Sequence, residues 1–536
     1  MLRLSLAMKR LTASAVLSLV SMIVSLSPLP AAGTATPPRT FSELPAEIRR
    51  HILLGTPRRS ADIAESPFGT HTTIMQEGGN ADYIRKAPGL LADAGYKWVV
   101  EYLTIGAAES LPVEQVDARF ATLPARCFTY AEALRRADIG LIMRIDPIRW
   151  TPWNGPSKVS LDENSDDMRR AQVFTRHVVR QLKPYTRHWQ IWNEPNIGNA
   201  QPILQPEDYV KLVAFIARII REEQPDALIL APGTAMLQCL APHPLPWLPR
   251  ALDAGLLDHI DIFTFHPYRQ PATRDNIPEH ASEFHPWQTW GTYEKQIADL
   301  RGRLARRSGG KTIPLAATED GMPTLINGRG EQEITWVIGA KYELRRALLD
   351  FRLGVHPRTQ FAFYRPIGEN YYDIQGSYNL LTNDLQPKPA WYASQNLHAV
   401  LDHSYQPDDT VRLTLTPDTA AKPKGELVAH CYRKQHAGFD ELLVFFWSAE
   451  VSDDLHARYP ATLRLQESGW EAPLLIDLMA MPAKRPKNEI VELIDSQFVN
   501  RRDPEQLRPA RTATGVEVRG LEIRDYPQLI KLVRPR

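Results

Sequence analysis

The chain has 536 residues, 43% of them apolar and 23% charged, with a formal net charge of +1. That composition describes a globular protein with ample core, and the length suits one large domain plus an accessory one. Near-neutrality excludes a general electrostatic attraction for nucleic acid or an anionic membrane.

In chain order, Arg3, Lys9 and Arg10 precede an apolar stretch from Leu11 to Ser27. Pro28, Pro30 and small residues up to Ala35 follow. This is the pattern of a cleavable secretory signal over residues 1–35, so a secreted or periplasmic location is expected, with no membrane insertion after cleavage. A proline-rich segment occupies residues 36–66. From 67 to 403, eight short apolar runs alternate with helical stretches. The runs are Phe68–Ile74, Tyr96–Tyr102, Ile139–Ile145, His188–Trp192, Leu228–Ala231, Ile260–Phe265, Ile313–Thr318 and Thr359–Tyr364. The clearest helix puts Tyr209, Leu212, Val213, Ile216, Ile219 and Ile220 on one face and opens with Pro206-Glu207-Asp208. Another is expected from Glu333 to Phe351, and a last one from about Pro389. Eight strand–helix repeats predict an α/β fold, a (β/α)₈ TIM barrel. No glycine-rich dinucleotide turn follows an early strand, which disfavours an open doubly wound sheet. Beyond 404 the texture changes to short alternating runs at Val411–Leu415, Leu442–Trp447, Thr462–Leu465 and Leu521–Ile523. These predict an all-β, sandwich-like accessory domain over 404–536. Cys127, Cys239 and Cys431 are too few and too scattered for a disulfide framework or a metal site.

Two carboxylates stand out. Glu194 ends the fourth run, inside Trp189-Gln190-Ile191-Trp192-Asn193-Glu194-Pro195-Asn196, and Glu319 ends the seventh. In a barrel, functional side chains sit at the C-terminal ends of strands, and strands four and seven face each other across the mouth. Cleaving a glycosidic bond with retention needs a pair of carboxyl groups about 5–5.5 Å apart. We therefore assign Glu194 as general acid/base and Glu319 as nucleophile. The nucleophile must stay ionised and so needs donors or a cation beside it. Asp320 is its neighbouring rival.

Trp192-Asn193-Glu194-Pro195 resembles the acid/base motif of glycoside hydrolase clan A. Thr318-Glu319-Asp320-Gly321 resembles that clan's strand-seven ending, and Phe265-His266-Pro267-Tyr268 its strand-six ending. The resemblance runs from about Phe68 to Leu401 and is nearest to families 39 and 5. It implies that Asn193 binds the sugar 2-hydroxyl and that His266 and Tyr268 flank the nucleophile. There are departures. The second run lacks the arginine some members use to hold the nucleophile, and Arg144 on the third run is the nearest substitute. The eighth run ends in Tyr364-Arg365 where many members place a tryptophan beneath the sugar. His71 and Arg144 are candidates for substrate contact or structural pairing. Trp150, with Trp153, Trp287 and Trp290, offers aromatic faces for sugar rings, as do Tyr364, Asn370, Tyr371 and Tyr372. The expected function is a secreted retaining hydrolase of β-type glycosidic bonds in an oligo- or polysaccharide. No cofactor is expected, and no metal, because His71 and His266 are too few convergent ligands. A transglycosylase of the same fold and a catalytically silent carbohydrate-binding barrel are the alternatives.

Overall fold

The computed structural model describes residues 57–79, 81–148, 159–197, 204–237, 247–269, 273–282, 291–324, 334–365, 376–418, 422–454, 457–481 and 505–536. The expected signal segment, Trp150, Trp153, Trp287, Trp290, Asn370, Tyr371, Tyr372 and Cys239 lie outside these residues. Among the described residues, no helix is long and apolar enough to cross a membrane.

Eight parallel strands close into a barrel in sequence order, each overlapping one of the apolar runs. They are β1 (Phe68–Thr72), β2 (Trp98–Thr104), β3 (Gly140–Asp146), β4 (His188–Ile191), β5 (Leu228–Ala235), β6 (Ile262–His266), β7 (Leu315–Asp320) and β8 (Val355–Tyr364). The principal helices around them are α1 (Ala81–Asp93), α2 (Ala125–Arg136), α3 (Asp166–Leu182), α4 (Pro206–Glu223), α5 (Trp247–Asp253), α6 (Tyr293–Arg307), α7 (Trp336–Arg352) and α8 (Pro389–Val400). Helix α4 starts at Pro206, where a fixed φ and a missing N–H cost nothing, and buries the predicted apolar face. Serine and threonine hydroxyls cap three others: Ser165 accepts from Met168 N, Thr292 from Lys295 N and Thr335 from Ile338 N. Inside the barrel, Val100, Ile142 and Leu230 form one packed layer. Two residues further along their strands, side chains return to the same face, so Tyr102, Arg144 and Gln190, which are register neighbours, form the next row towards the mouth.

The C-terminal part is two antiparallel sheets. One has the order β10 (Leu413–Pro417), β13 (Tyr459–Leu465), β17 (Val516–Ile523), β16 (Pro509–Arg511). The other has the order β15 (Glu505–Gln506), β14 (Glu471–Asp477), β18 (Gln528–Pro535), β12 (Phe439–Ala449), β11 (Glu426–Gln435), β9 (Gln406–Pro407). Strand β12 is apolar on both faces for a reason. Leu443, Phe445 and Trp447 pack with α7 and α8 in one core, and the alternating Leu442, Val444 and Phe446 pack against the second sheet in another.

Helix α7 is consequently buried all round, from Trp336 to Phe351, despite carrying charged residues. Those charges are paired across the domain junction. Lys341 Nζ donates to Asp525 at 2.7 Å, Arg345 binds Glu279 and donates to the Glu450 carbonyl at 2.8 Å, and Trp447 Nε1 donates to Glu279 at 2.9 Å. At the opposite end of the barrel, Arg58 of the proline-rich segment pairs with Asp402 at 2.9 Å. Cys127 and Cys431 are buried free thiols.

Candidate active site

The stretch after β4 turns sharply. Trp192 and Glu194 both have left-handed backbone, φ +65° and +45°, an uncommon conformation for residues with a Cβ. Neighbouring contacts hold it there. Trp192 is buried in the core, and Tyr209 of α4 donates to the Ile191 carbonyl at 2.9 Å. Glu194 N donates to the Gly233 carbonyl at 2.9 Å, and the Asn196 amide brackets Ala235 through bonds of 2.8 and 2.9 Å. Gly233 has φ +60°, a left-handed conformation that favours glycine, and a Cβ there would lie 2.8 Å from Gln190 Nε2, so a side chain would be strained and would displace that amide. The outcome is that Asn193 and Glu194 both point into the barrel mouth.

Glu319 enters the mouth from β7 and is 8% exposed. Arg144 Nη1 donates to Glu319 Oε1 at 2.9 Å and to Asn193 Oδ1 at 2.6 Å, while the Tyr268 hydroxyl donates to Glu319 Oε2 at 3.3 Å. His71 Nε2 lies 3.5 Å from Glu319 Oε1, and His266 Nδ1 lies 3.8 Å from Oε2. Burial pushes the Glu319 carboxyl up, but His266, His71 and Arg144 outweigh it and hold it below the usual carboxylate range. His71 is itself pushed down to about 3, by burial first, so it is neutral near pH 7. The guanidinium bonded to Glu319 is that of Arg144. Burial works against its charge too, but Asp146 and Glu319 more than offset that. Its guanidinium lies over the Tyr102 ring, 4.5 Å from the centroid. The Tyr268 phenol is held well above its ordinary value by burial and by Glu319, so it remains a donor.

Glu194 takes a different partner. Its Oε1 lies 2.9 Å from His266 Nδ1, and the other ring nitrogen of His266 is 3.3 Å from Thr318 Oγ1. One carboxylate oxygen from each of Glu194 and Glu319, together with a His266 ring nitrogen, lie within 4.8 Å of one another. Such a trio could in principle ligate a metal ion. Here a guanidinium and a phenol already occupy the two oxygens of Glu319, and the Arg144 charge opposes a divalent cation at that position.

Seven of the residues singled out in the sequence therefore converge: Glu194, Glu319, Asn193, His266, Tyr268, His71 and Arg144. Asp320, the rival of Glu319, alternates to the outer face of β7 and pairs with Arg358 at 3.1 Å. Tyr364 is placed differently from the other candidates. Its ring packs edge-on against Tyr83 in the main core, centroids 4.6 Å apart, and its carbonyl accepts from the Tyr83 hydroxyl.

Other residues stand at the mouth that sequence reasoning passed over. Half-buried Phe361 meets His71 edge-on at 5.2 Å, and Tyr378 meets both Phe361 at 5.7 Å and Tyr268 at 5.9 Å. Tyr102 contacts His71 and, with Arg365, binds Glu77. Tyr102 was within reach of period-two counting from Val100. Phe361 was not, because the register of β8 shifts against both of its neighbours.

No family model and no curated protein sequence matches this chain. Solved structures do. A family 39 glycoside hydrolase from the gut symbiont Bacteroides cellulosilyticus WH2 superposes with a TM-score of 0.58 at 17% identity, over 90% of this chain and 82% of that one. A monomeric beta-xylosidase from Caulobacter crescentus CB15 gives 0.54 at 12% identity, over 88% and 98%. The family 39 enzyme from Xanthomonas axonopodis pv. citri gives 0.51 at 16% identity, over 92% and 100%. At these identities the likeness is one of fold, and it covers barrel and β module together. The chain thus carries the (β/α)₈ barrel fold of the clan A glycoside hydrolases, family 39 enzymes among them.

Proposed function

We propose that this protein is a secreted glycoside hydrolase that cleaves β-type glycosidic bonds with retention of configuration. The observation that carries the reading is the carboxylate pair, with oxygens within 4.8 Å and unlike partners. An approach of 4.8 Å or less between one oxygen of each falls short of the roughly 6.5–9.5 Å that inverting pairs keep for a water, which favours retention. Glu319, kept ionised by Arg144, attacks the anomeric carbon. Glu194 delivers its proton to the departing oxygen, leaving a glycosyl ester on Glu319. Glu194 then takes a proton from water, which attacks the same carbon, and the ester breaks to free sugar and carboxylate. His266 reaches both carboxylates and orients Glu194 through both steps. Asn193, fixed by Arg144, offers its amide to the sugar 2-hydroxyl, a bond that strengthens as charge develops at the ring. Phe361, Tyr378 and Tyr102 supply aromatic walls for the ring.

The test is reducing-sugar release from a broad oligo- and polysaccharide panel by the wild type and by Glu319→Ala. Release by the wild type with retained anomeric configuration, lost in the variant, is expected. Inverted product, or equal release by both proteins, would overturn the assignment.

A further inference from the structure

Behind Tyr378, on the outer side of β7 and β8 and against α7, lies a narrow recess of about 450 Å³ counting its open mouth. Its wall holds three guanidinium groups, from Arg269, Arg346 and Arg358, and carboxylates from Asp320 and Glu343. The carboxylates are not shared evenly. Arg358 binds Glu343 through both terminal nitrogens and Asp320 at 3.1 Å, and its Nε lies 3.5 Å from Asp350. Arg346 reaches Asp320 only at 4.0 Å and stacks on Tyr293, 3.7 Å from the ring centroid. Its Nε and Nη1 are buried without a hydrogen-bond partner among the described residues.

Arg269 is bonded to no carboxylate among the described residues, and its guanidinium lies 5.8 Å from the centroid of the Tyr342 ring. It follows Tyr268 in sequence and is 4% exposed, yet it makes no hydrogen bond or ion pair among the described residues, and its Nη1 is buried and unsatisfied. Burial first, and then Arg346, lower the Arg269 pKa to about 9, with Asp320, Tyr342 and Glu279 only partly offsetting them. A buried cation without a partner is strongly unfavourable, whereas a planar fork of N–H donors suits a carboxylate or other oxyanion.

We propose that this recess is a binding site for a small oxyanion, held by Arg269 and Arg346 and separated from the two catalytic glutamates by the Tyr378 ring. The acid group is either free in solution or carried on a sugar, and the same fork chemistry serves both. The proposal stands on the unsatisfied guanidinium nitrogens of Arg269 and Arg346 and is independent of the glycosidase reading.

The test uses the full chain in a low-salt zwitterionic buffer. Tm is followed as sodium phosphate or sodium glucuronate is added, with sodium chloride at matched ionic strength as the reference, for wild type and Arg269→Met. We expect a saturable rise of several degrees in the wild type with phosphate, glucuronate or both. Phosphate alone identifies a free anion as the occupant, and glucuronate alone an acidic sugar. Arg269→Met, which removes the uncompensated charge, is expected to melt above the anion-free wild type and to ignore both anions. Titration calorimetry of the wild type with the same two anions checks binding without a variant. No heat from either anion, with a wild-type Tm that tracks chloride, would overturn the site. So would an Arg269→Met protein that responds as the wild type does.

Discussion

Replacing Arg144 by Met tests the electrostatic logic of the site. Arg144 is nearly fully buried, bonds to Glu319 at 2.9 Å and to Asn193 at 2.6 Å, and has its Nε 3.3 Å from Asp146. Opposite charges about 4 Å apart interact by about 4 kcal/mol at the effective dielectric of roughly 20 that suits such sites. After the change Glu319 keeps the Tyr268 hydroxyl, a neutral His71 and His266 at 3.8 Å but loses its bonded guanidinium, so its carboxyl rises. The sign is fixed by the role. The nucleophile works ionised, so activity is present above its titration and lost below it, and raising that titration moves the acid limb of the kcat/KM profile towards higher pH. A move of about one pH unit or more is expected. Above the displaced limb a second loss remains, because Asn193 has lost its anchor. A charge-assisted bond is worth about 1.5–3 kcal/mol, or roughly 10- to 150-fold in rate. Arg144→Lys separates the two effects. It restores most of the limb through its charge and little of the plateau, since the shorter lysine chain does not carry its nitrogen to the position of Arg144 Nη1, which bonds both acceptors. The assay is kcat/KM against pH on an aryl glycoside that the panel identifies, with circular dichroism to establish folding. A folded Arg144→Met protein whose acid limb stays in place would refute the reasoning.

Glu194→Ala is expected to slow substrates with poor leaving groups by about 10²–10⁴-fold while sparing activated aryl glycosides in the bond-breaking step; equal losses on both series would remove the acid role. Gly233→Ala places a Cβ 2.8 Å from Gln190 Nε2 at a φ of +60° and should cost about 1–3 kcal/mol in urea unfolding. It should also lower kcat, because the Gly233 carbonyl accepts the Glu194 N–H, and an unaltered kcat would show that this tether does not position the glutamate. Lys341→Met strands Asp525 at the domain junction, where the pair stands 2.7 Å apart, and is expected to lose about 3–5 kcal/mol of stability. A melting curve unchanged by that substitution would mean that this pair adds nothing to the stability of the junction.

Local periodicity carries much of this fold. The eight strands, the strand order of the two glutamates and the apolar face of α4 all follow from residues close together in the chain, because burial imposes a period of two or of 3.6 on each element separately. The motif around Glu194 was legible for a related reason: a polar Asn-Glu-Pro directly after a buried strand has no place in a core. Arg144 was noticed only as a stand-in for an arginine missing from β2, and the structure puts it beside Glu319 because Tyr102, Arg144 and Gln190 share one row of the barrel. The rotation of each strand end comes from contacts between segments far apart in the chain. It separates Glu319 from Asp320, and it sends Tyr364 into the core while Phe361 faces His71. Tyr378 reaches the mouth from a short turn after β8, through contacts that no periodicity records. Helix α7 is the plainest case. Lys341, Glu343, Arg345, Arg346 and Asp350 have the composition of a solvent face, yet all are buried, because the β module covers that side and supplies partners for Lys341 and Arg345. A charged side chain becomes a core residue only when partners distant in sequence are folded against it, so the oxyanion recess beside α7 is likewise a property of the assembled fold.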